Sequence, residues 1–151
     1  MPEIGKKAPA FKGLDQDGNL LQLSDFKGKK LILYFYPKDM TATCTVEACN
    51  LRDNYKILQK KGYAIVGVSA DDSASHQRFI AKNKLPFPLI ADTEKEIIKK
   101  YEVWGEKMLY GKKYMGILRK TFVIDEKGKI TNVIDKVKSK EHSAQLLEKE
   151  K

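Results

Sequence analysis

Two apolar runs of strand length constrain this chain more than any other feature. Leu31–Tyr36 is continuous and aromatic-rich, and Pro37 closes it; Tyr63–Ser69 is the second. A run without alternation offers no face to water, so each reads as a strand buried on both sides, as in a parallel sheet. Parallel neighbours need a crossover. Between the runs, from about Thr43 to Lys60, the residues Ala48, Leu51, Tyr55 and Leu58 recur at spacings of three and four. That spacing predicts a single helix, stopped by Gly62.

The remaining segments extend this unit. Phe11–Leu14 and Leu20–Leu23 flank Asp15-Gln16-Asp17-Gly18-Asn19 and predict an N-terminal β-hairpin. Asp71–Ser73 caps a helix running to about Lys84. Leu85-Pro86-Phe87-Pro88 is a rigid connector and Leu89–Ala91 a short strand. Asp92 or Thr93 then caps a helix to Tyr101. Residues 102–118 hold Trp104 and several glycines and read as loop. Arg119–Asp125 and Lys129–Asp135 form two strands about a hairpin turn, and Ser139 is placed to cap a last helix through Leu147. The order ββ, βαβα, βα, ββα predicts an α/β protein with a mixed central sheet, helices on both faces and an N-terminal hairpin. A thioredoxin-like fold has this order. At 151 residues, one domain over 1–151 is expected.

Composition excludes several classes. The chain is 42% hydrophobic, which is incompatible with simple disorder. Its longest apolar run is far short of the ~20 residues that a membrane span requires. The opening Met1-Pro2-Glu3-Ile4-Gly5-Lys6 lacks the apolar stretch of a signal peptide, so the expected compartment is the cytoplasm. The net charge of +9 invites a nucleic-acid reading. However, only Arg52, Arg78 and Arg119 are arginines, and the lysines are spread along the whole chain. Phosphate and base recognition favours clustered charge and the planar fork of arginine, so specific nucleic-acid binding is not expected.

The chemistry rests on two cysteines, Cys44 and Cys49. Two are too few for a disulfide framework, and His76 and His142 lie too far off in sequence for the usual zinc spacing. No metal or other cofactor is expected. Cys44 follows a buried strand and falls in the first turn of the predicted helix. Free N–H groups and the helix dipole favour an anion there, and a thiolate is the nucleophilic form of cysteine. A buried, inert cysteine is the alternative. Five residues on, Cys49 lies ~140° around the helix and ~8 Å away, whereas a disulfide wants a Cα separation of roughly 4.4–6.8 Å. The pair is therefore no rigid bridge. If the two bond, the first turns of the helix must unwind.

Pro37-x-x-x-Thr41-x-x-Cys44 resembles the peroxiredoxin signature P-x-x-x-T/S-x-x-C. The continuation Cys44-Thr45-Val46-Glu47-Ala48-Cys49 is similar to the peroxiredoxin Q group, also called bacterioferritin comigratory proteins. Gly67-Val68-Ser69-Ala70-Asp71, Val103-Trp104-Gly105-Glu106-Lys107 and the run Gly116–Asp125 extend the likeness over nearly the whole chain. One departure is plain: Ala42-Thr43 stands where the group usually has Pro-Gly or Pro-Ser, which bears on the stiffness of the helix start.

The resemblance implies a role for each site residue. Cys44 would be the peroxidatic cysteine, oxidised to a sulfenic acid. Thr41 would hold the peroxide through its hydroxyl, and Pro37 would cover the thiolate. Arg119 would place a cation beside the sulfur, with Glu47 orienting an arginine. Cys49 would resolve the sulfenic acid into an intrachain disulfide. Thioredoxin, or a glutaredoxin, would reduce that disulfide. A monomer is expected on the same ground, with hydrogen peroxide and organic hydroperoxides as substrates. Two other readings compete. A thioredoxin-like dithiol–disulfide oxidoreductase would want Cys-x-x-Cys, so the four residues between these cysteines disfavour it. A basic binding module would not depend on the cysteines at all.

Overall fold

The computed structural model describes residues 2–149. Its centre is a five-stranded mixed sheet in the order β5-β4-β3-β8-β9. β3 (Lys30–Phe35), β4 (Tyr63–Ser69) and β5 (Leu89–Ala91) run parallel, β8 (Lys120–Ile124) is antiparallel to β3, and β9 (Ile130–Ile134) is antiparallel to β8. The two apolar runs are therefore adjacent central strands, in register from Lys30↔Tyr63 to Phe35↔Val68. Side chains of β3 alternate between two separate cores. Leu31, Leu33 and Phe35 join Ile97, Ile98 and Tyr101 on one face; Ile32, Tyr34 and Tyr36 join Leu51, Leu58, Phe79 and Leu146 on the other. Gly67 opposes Tyr34 across the strand pair. A Cβ there would lie 2.9 Å from the tyrosine ring, so the glycine makes room for it.

Helices cover both faces, as expected. α1 (Ala42–Asp53), α2 (Tyr55–Lys60), α3 (Ser73–Asn83) and α5 (His142–Lys149) pack on one face, and the short α4 (Glu96–Lys100) on the other. The hairpin of β1 (Lys12–Leu14) and β2 (Leu20–Gln22) is a separate two-stranded sheet.

Three expectations are corrected. The single helix from Thr43 to Lys60 is two, because the Asn54 side chain donates to the Asn50 carbonyl at 2.9 Å and its backbone (φ −107°, ψ 10°) leaves the helical region. The helix before Tyr101 starts only at Glu96. Asp92 still serves it, since its carboxylate accepts from the N–H groups of Ile97 at 3.3 Å and Ile98 at 2.8 Å. Residues 102–118 are no loop: β6 (Trp104–Leu109) and β7 (Lys112–Ile117) form an antiparallel hairpin turned by Tyr110 and Gly111, both at positive φ. In addition, Arg119 lies just before β8 rather than in it, and Ser139 begins a short 3-10 turn leading into α5.

Asn50 ties that C-terminal unit to α1 by hydrogen bonds. Asn50 Nδ2 donates to the Lys140 carbonyl at 2.9 Å, and its Oδ1 accepts from the Ser143 N–H at 2.7 Å. The Ser143 hydroxyl donates to the Asn50 carbonyl at 3.2 Å. Asn50 thereby caps the start of α5 from the middle of α1, supplying an acceptor that a helix start lacks.

Candidate active site

β3 ends at Phe35, and the chain turns through Pro37 into α1 at the carboxyl ends of the parallel strands, where α/β sheets commonly place their sites. Thr41 holds the N-cap position with extended backbone (φ −78°, ψ 152°), but its hydroxyl does not cap the helix. It donates instead to the Lys38 carbonyl at 2.9 Å. Cys44 is the third residue of α1 and only 1% exposed. Ala42 and Thr43, the two residues that depart from the family pattern, form the exposed first turn.

The fold brings Arg119 to this sulfur across 75 positions of sequence. Its Nη2 donates to Cys44 Sγ at 2.9 Å and its Nη1 donates to Glu47 Oε1 at 2.6 Å. One planar guanidinium thus spans both groups. Burial alone would lower Arg119, but the charges of Glu47 and Cys44 outweigh it and hold the guanidinium above its ordinary value.

Behind this pair the site is closed to solvent, with Glu47, Tyr34 and His142 all buried. Glu47 is fully buried, and desolvation raises its carboxyl to about 7 against the opposing pull of Arg119. Among the described residues, two buried side-chain atoms lack a hydrogen-bonding partner, Glu47 Oε2 and Tyr34 Oη. Burial, followed by the charges of Glu47 and Cys44, holds the Tyr34 phenol well above its ordinary value, so it stays neutral.

His142 forms the third wall. Its Nδ1 faces Gln145 Oε1 at 3.1 Å, an oxygen that already accepts from the Lys138 N–H. Nδ1 is therefore the donor, and Nε2 accepts from the Thr121 hydroxyl at 2.9 Å. Nε2 lies 3.6 Å from Glu47 Oε2. Desolvation lowers His142 to about 4, so the ring is neutral. Its only signal in the sequence was its rarity, as one of two histidines. Lys107 of β6 also reaches this region. It donates to the Ile117 carbonyl at 3.0 Å, and burial, with the Arg119 charge, lowers its ammonium.

These two buried groups respond oppositely to pH. Between pH 4.5 and 7 the folded chain keeps a proton on Glu47 that the unfolded chain has released, so this contribution to stability is lost as pH rises. His142 contributes fully above pH 6.5, and that contribution is lost as pH falls toward 4. The slopes oppose each other between pH 4.5 and 6.5. In Glu47→Gln only the histidine slope remains. The thermal midpoint of the variant is expected to fall more steeply than the wild type's on acidification from pH 6.5 to 4.5. Scanning calorimetry at both ends of that range checks this, and parallel profiles would refute it.

Of the residues marked in the sequence, Cys44, Glu47 and Arg119 converge. Pro37 is half-buried at the loop start and Thr41 is exposed at the helix start. Cys49 stands apart. Its thiol donates to Asn83 Oδ1 of α3 at 3.6 Å, and both cysteines are free. Five helical positions separate the two by ~140° about the axis, so no disulfide forms while α1 is intact.

Known proteins share this arrangement of elements. The model of the AhpC/TSA family matches residues 4–133. The chain belongs to that family. Within it, this peroxiredoxin is 44% identical to peroxiredoxin Bcp of Bacillus subtilis over 97% of its own length and 93% of the relative's. Its structure superposes on a variant PrxQ of Xylella fastidiosa with a TM-score of 0.92 at 29% identity, covering 99% and 95% of the two chains. A Xanthomonas campestris bacterioferritin comigratory protein, solved in connection with alkyl peroxide reduction, gives a TM-score of 0.85 at 33% identity over 91% and 88%. The peroxiredoxin Q group, thioredoxin-like in fold, is thus where this peroxiredoxin falls. None of its helices among the described residues is long and apolar enough to cross a membrane.

Proposed function

We propose that this chain is a thiol-dependent peroxidase that reduces hydrogen peroxide and organic hydroperoxides through Cys44. The carrying observation is the Arg119 guanidinium, 2.9 Å from the Cys44 sulfur in the first turn of α1. Cys44, as thiolate, attacks the terminal peroxide oxygen. The S–O bond forms, the O–O bond breaks, and water or alcohol leaves after taking a proton. Arg119 supplies positive charge where the departing oxygen becomes negative. The Thr41 hydroxyl hydrogen points to Lys38, which leaves its lone pairs to accept from the peroxide O–H. Pro37 covers the thiolate and offers no N–H of its own.

Cys49 then attacks the sulfenic sulfur, and the Cys44–Cys49 disulfide forms with release of water. α1 must unwind for this step. A thioredoxin-type dithiol restores both thiols, with a glutaredoxin as the other candidate reductant. The chain works as one domain and a monomer in a reducing cytoplasm, without metal or cofactor.

The test is one equivalent of hydrogen peroxide added to reduced protein, followed by thiol trapping and intact mass. Wild type is expected to lose two hydrogens as a Cys44–Cys49 disulfide. Cys49→Ser is expected to consume its first equivalent as fast as wild type, then to gain oxygen on further peroxide and to give no sustained turnover with a dithiol. If both wild-type thiols remain alkylatable after peroxide, the proposal fails.

A further inference from the structure

The loop between β3 and α1 is held by a buried polar network that the chemistry above does not use. Asp39 is its centre. Its backbone N–H donates to Asp71 Oδ2 at 2.8 Å, and its Oδ1 accepts from the Tyr36 hydroxyl at 2.6 Å. Its Oδ2 accepts from the Ser75 hydroxyl at 2.8 Å and faces His76 Nδ1 at 2.7 Å. The His76 and Asp39 side chains are 0% and 1% exposed. His76 Nε2 lies 2.9 Å from the Ile90 carbonyl of β5, which can only accept, so Nε2 carries a hydrogen. One further proton joins Nδ1 to the Asp39 carboxylate. Asp71 is fixed in turn, because the Ser69 hydroxyl donates to its Oδ2 at 2.7 Å. The ends of β3 and β4, together with α3 and β5, thus converge on one loop residue.

The next residue shows why so firm a hold is needed. Met40 has φ +66°, the left-handed region that a side chain disfavours. Its side chain is 44% exposed, so core packing does not keep it there. Strained backbone persists where its surroundings over-determine it, and it gathers at functional sites. Asp39 supplies that determination on one side of Met40. On the other side stands Thr41.

We propose that His76 is a positioning residue for the peroxide step: through Asp39 it holds Met40 in the left-handed turn and so fixes Thr41 at the start of α1, where its hydroxyl holds the peroxide. The inference rests on the roles given to Thr41 and Cys44 above. The network does not touch the sulfur, and Arg119 approaches from the β8 side. Loss of His76 therefore impairs what Thr41 holds, the peroxide, and leaves the thiol reactive toward reagents that do not need Thr41.

The test compares two rates at Cys44, one with hydrogen peroxide and one with iodoacetamide. The proteins are wild type, His76→Gln, Thr41→Val and the double variant, all of them with Cys49 present. His76→Gln is expected to slow the peroxide reaction by roughly 10–100-fold and alkylation by less than about twofold. The double variant is expected to be no slower than Thr41→Val alone, because both changes remove the same contact. Equal losses in both reactions, or effects that multiply in the double variant, overturn the proposal. If His76→Gln does not fold, Ser75→Ala replaces it, deleting one bond to Asp39. A slower peroxide reaction with unchanged alkylation then supports the proposal, and an unchanged peroxide rate overturns it. A wild type inert to peroxide at Cys44 overturns the peroxidase reading itself. A reactive wild type matched by His76→Gln overturns only the positioning role.

Discussion

Cys44→Ser is expected to abolish peroxide consumption, with a loss on the order of 10⁴–10⁶ in turnover. The serine hydroxyl sits where the sulfur did but is a weak nucleophile without an adjacent base to activate it. The groups around position 44 are an arginine, a glutamate with its carboxyl raised to about 7, and a neutral tyrosine. Only the glutamate could take a proton, and the guanidinium occupies its Oε1. The fold should be indifferent to the change, because Arg119 Nη2 keeps an acceptor and the site stays full. Peroxide loss measured with dithiothreitol as reductant, alongside a thermal melt, separates the two effects. Residual activity near the wild-type rate would move the nucleophile elsewhere. Lost activity in a protein that still melts cooperatively places it at Cys44.

The second large effect belongs to Arg119→Met, for which a slowing of about 10²–10³-fold is expected in the peroxide reaction. A methionine fills part of the volume but cannot donate, so charge on the departing oxygen is left without its partner. This change also reaches the fold. Glu47 is 0% exposed and would lose the single partner of its Oε1, with Oε2 already unpartnered. Breaking a buried ion pair costs about 3–5 kcal/mol. Here the cost is smaller at low pH, because without the arginine the Glu47 carboxyl moves up from about 7 and takes a proton. The variant is expected to be less destabilised at pH 6 than at pH 8, as urea unfolding at the two pH values would read. Adding Glu47→Gln should recover much of the stability and none of the rate. A double variant that regained activity would show that Arg119 acts only as a structural counter-ion.

What the sequence revealed followed burial. β4 and β5 coincide with the runs Tyr63–Ser69 and Leu89–Ala91, because a strand covered on both faces has nowhere to put a polar residue. The β6–β7 hairpin reads as loop for the opposite reason. It stands off the main sheet with Met108, Tyr110, Tyr114 and Met115 exposed among lysines, and only its base, at Trp104 and Ile117, packs on the core, so its pattern shows no continuous buried face. Its turn pairs Tyr110 with Gly111, whereas Asn-Gly or Asp-Gly is the familiar signal. The break at Asn54 depends on a side-chain hydrogen bond that the helical spacing does not encode. At the site, the local motif contained Pro37, Thr41, Cys44 and Cys49. The Arg119 contact spans 75 positions, and motif likeness alone pointed to it. His142 comes from an element with no motif, and only the folded chain sets it beside Glu47.

Asn50 follows Cys49 directly, and it holds both the Lys140 carbonyl and the Ser143 N–H. In the proposed cycle, the turn that must move to bring the two sulfurs together is therefore continuous with the grip on the C-terminal helix. Each oxidation then loosens a brace on the far side of α1, and each reduction reseats it. In that cycle the redox state of two sulfur atoms sets how firmly the start of α5 is held against α1.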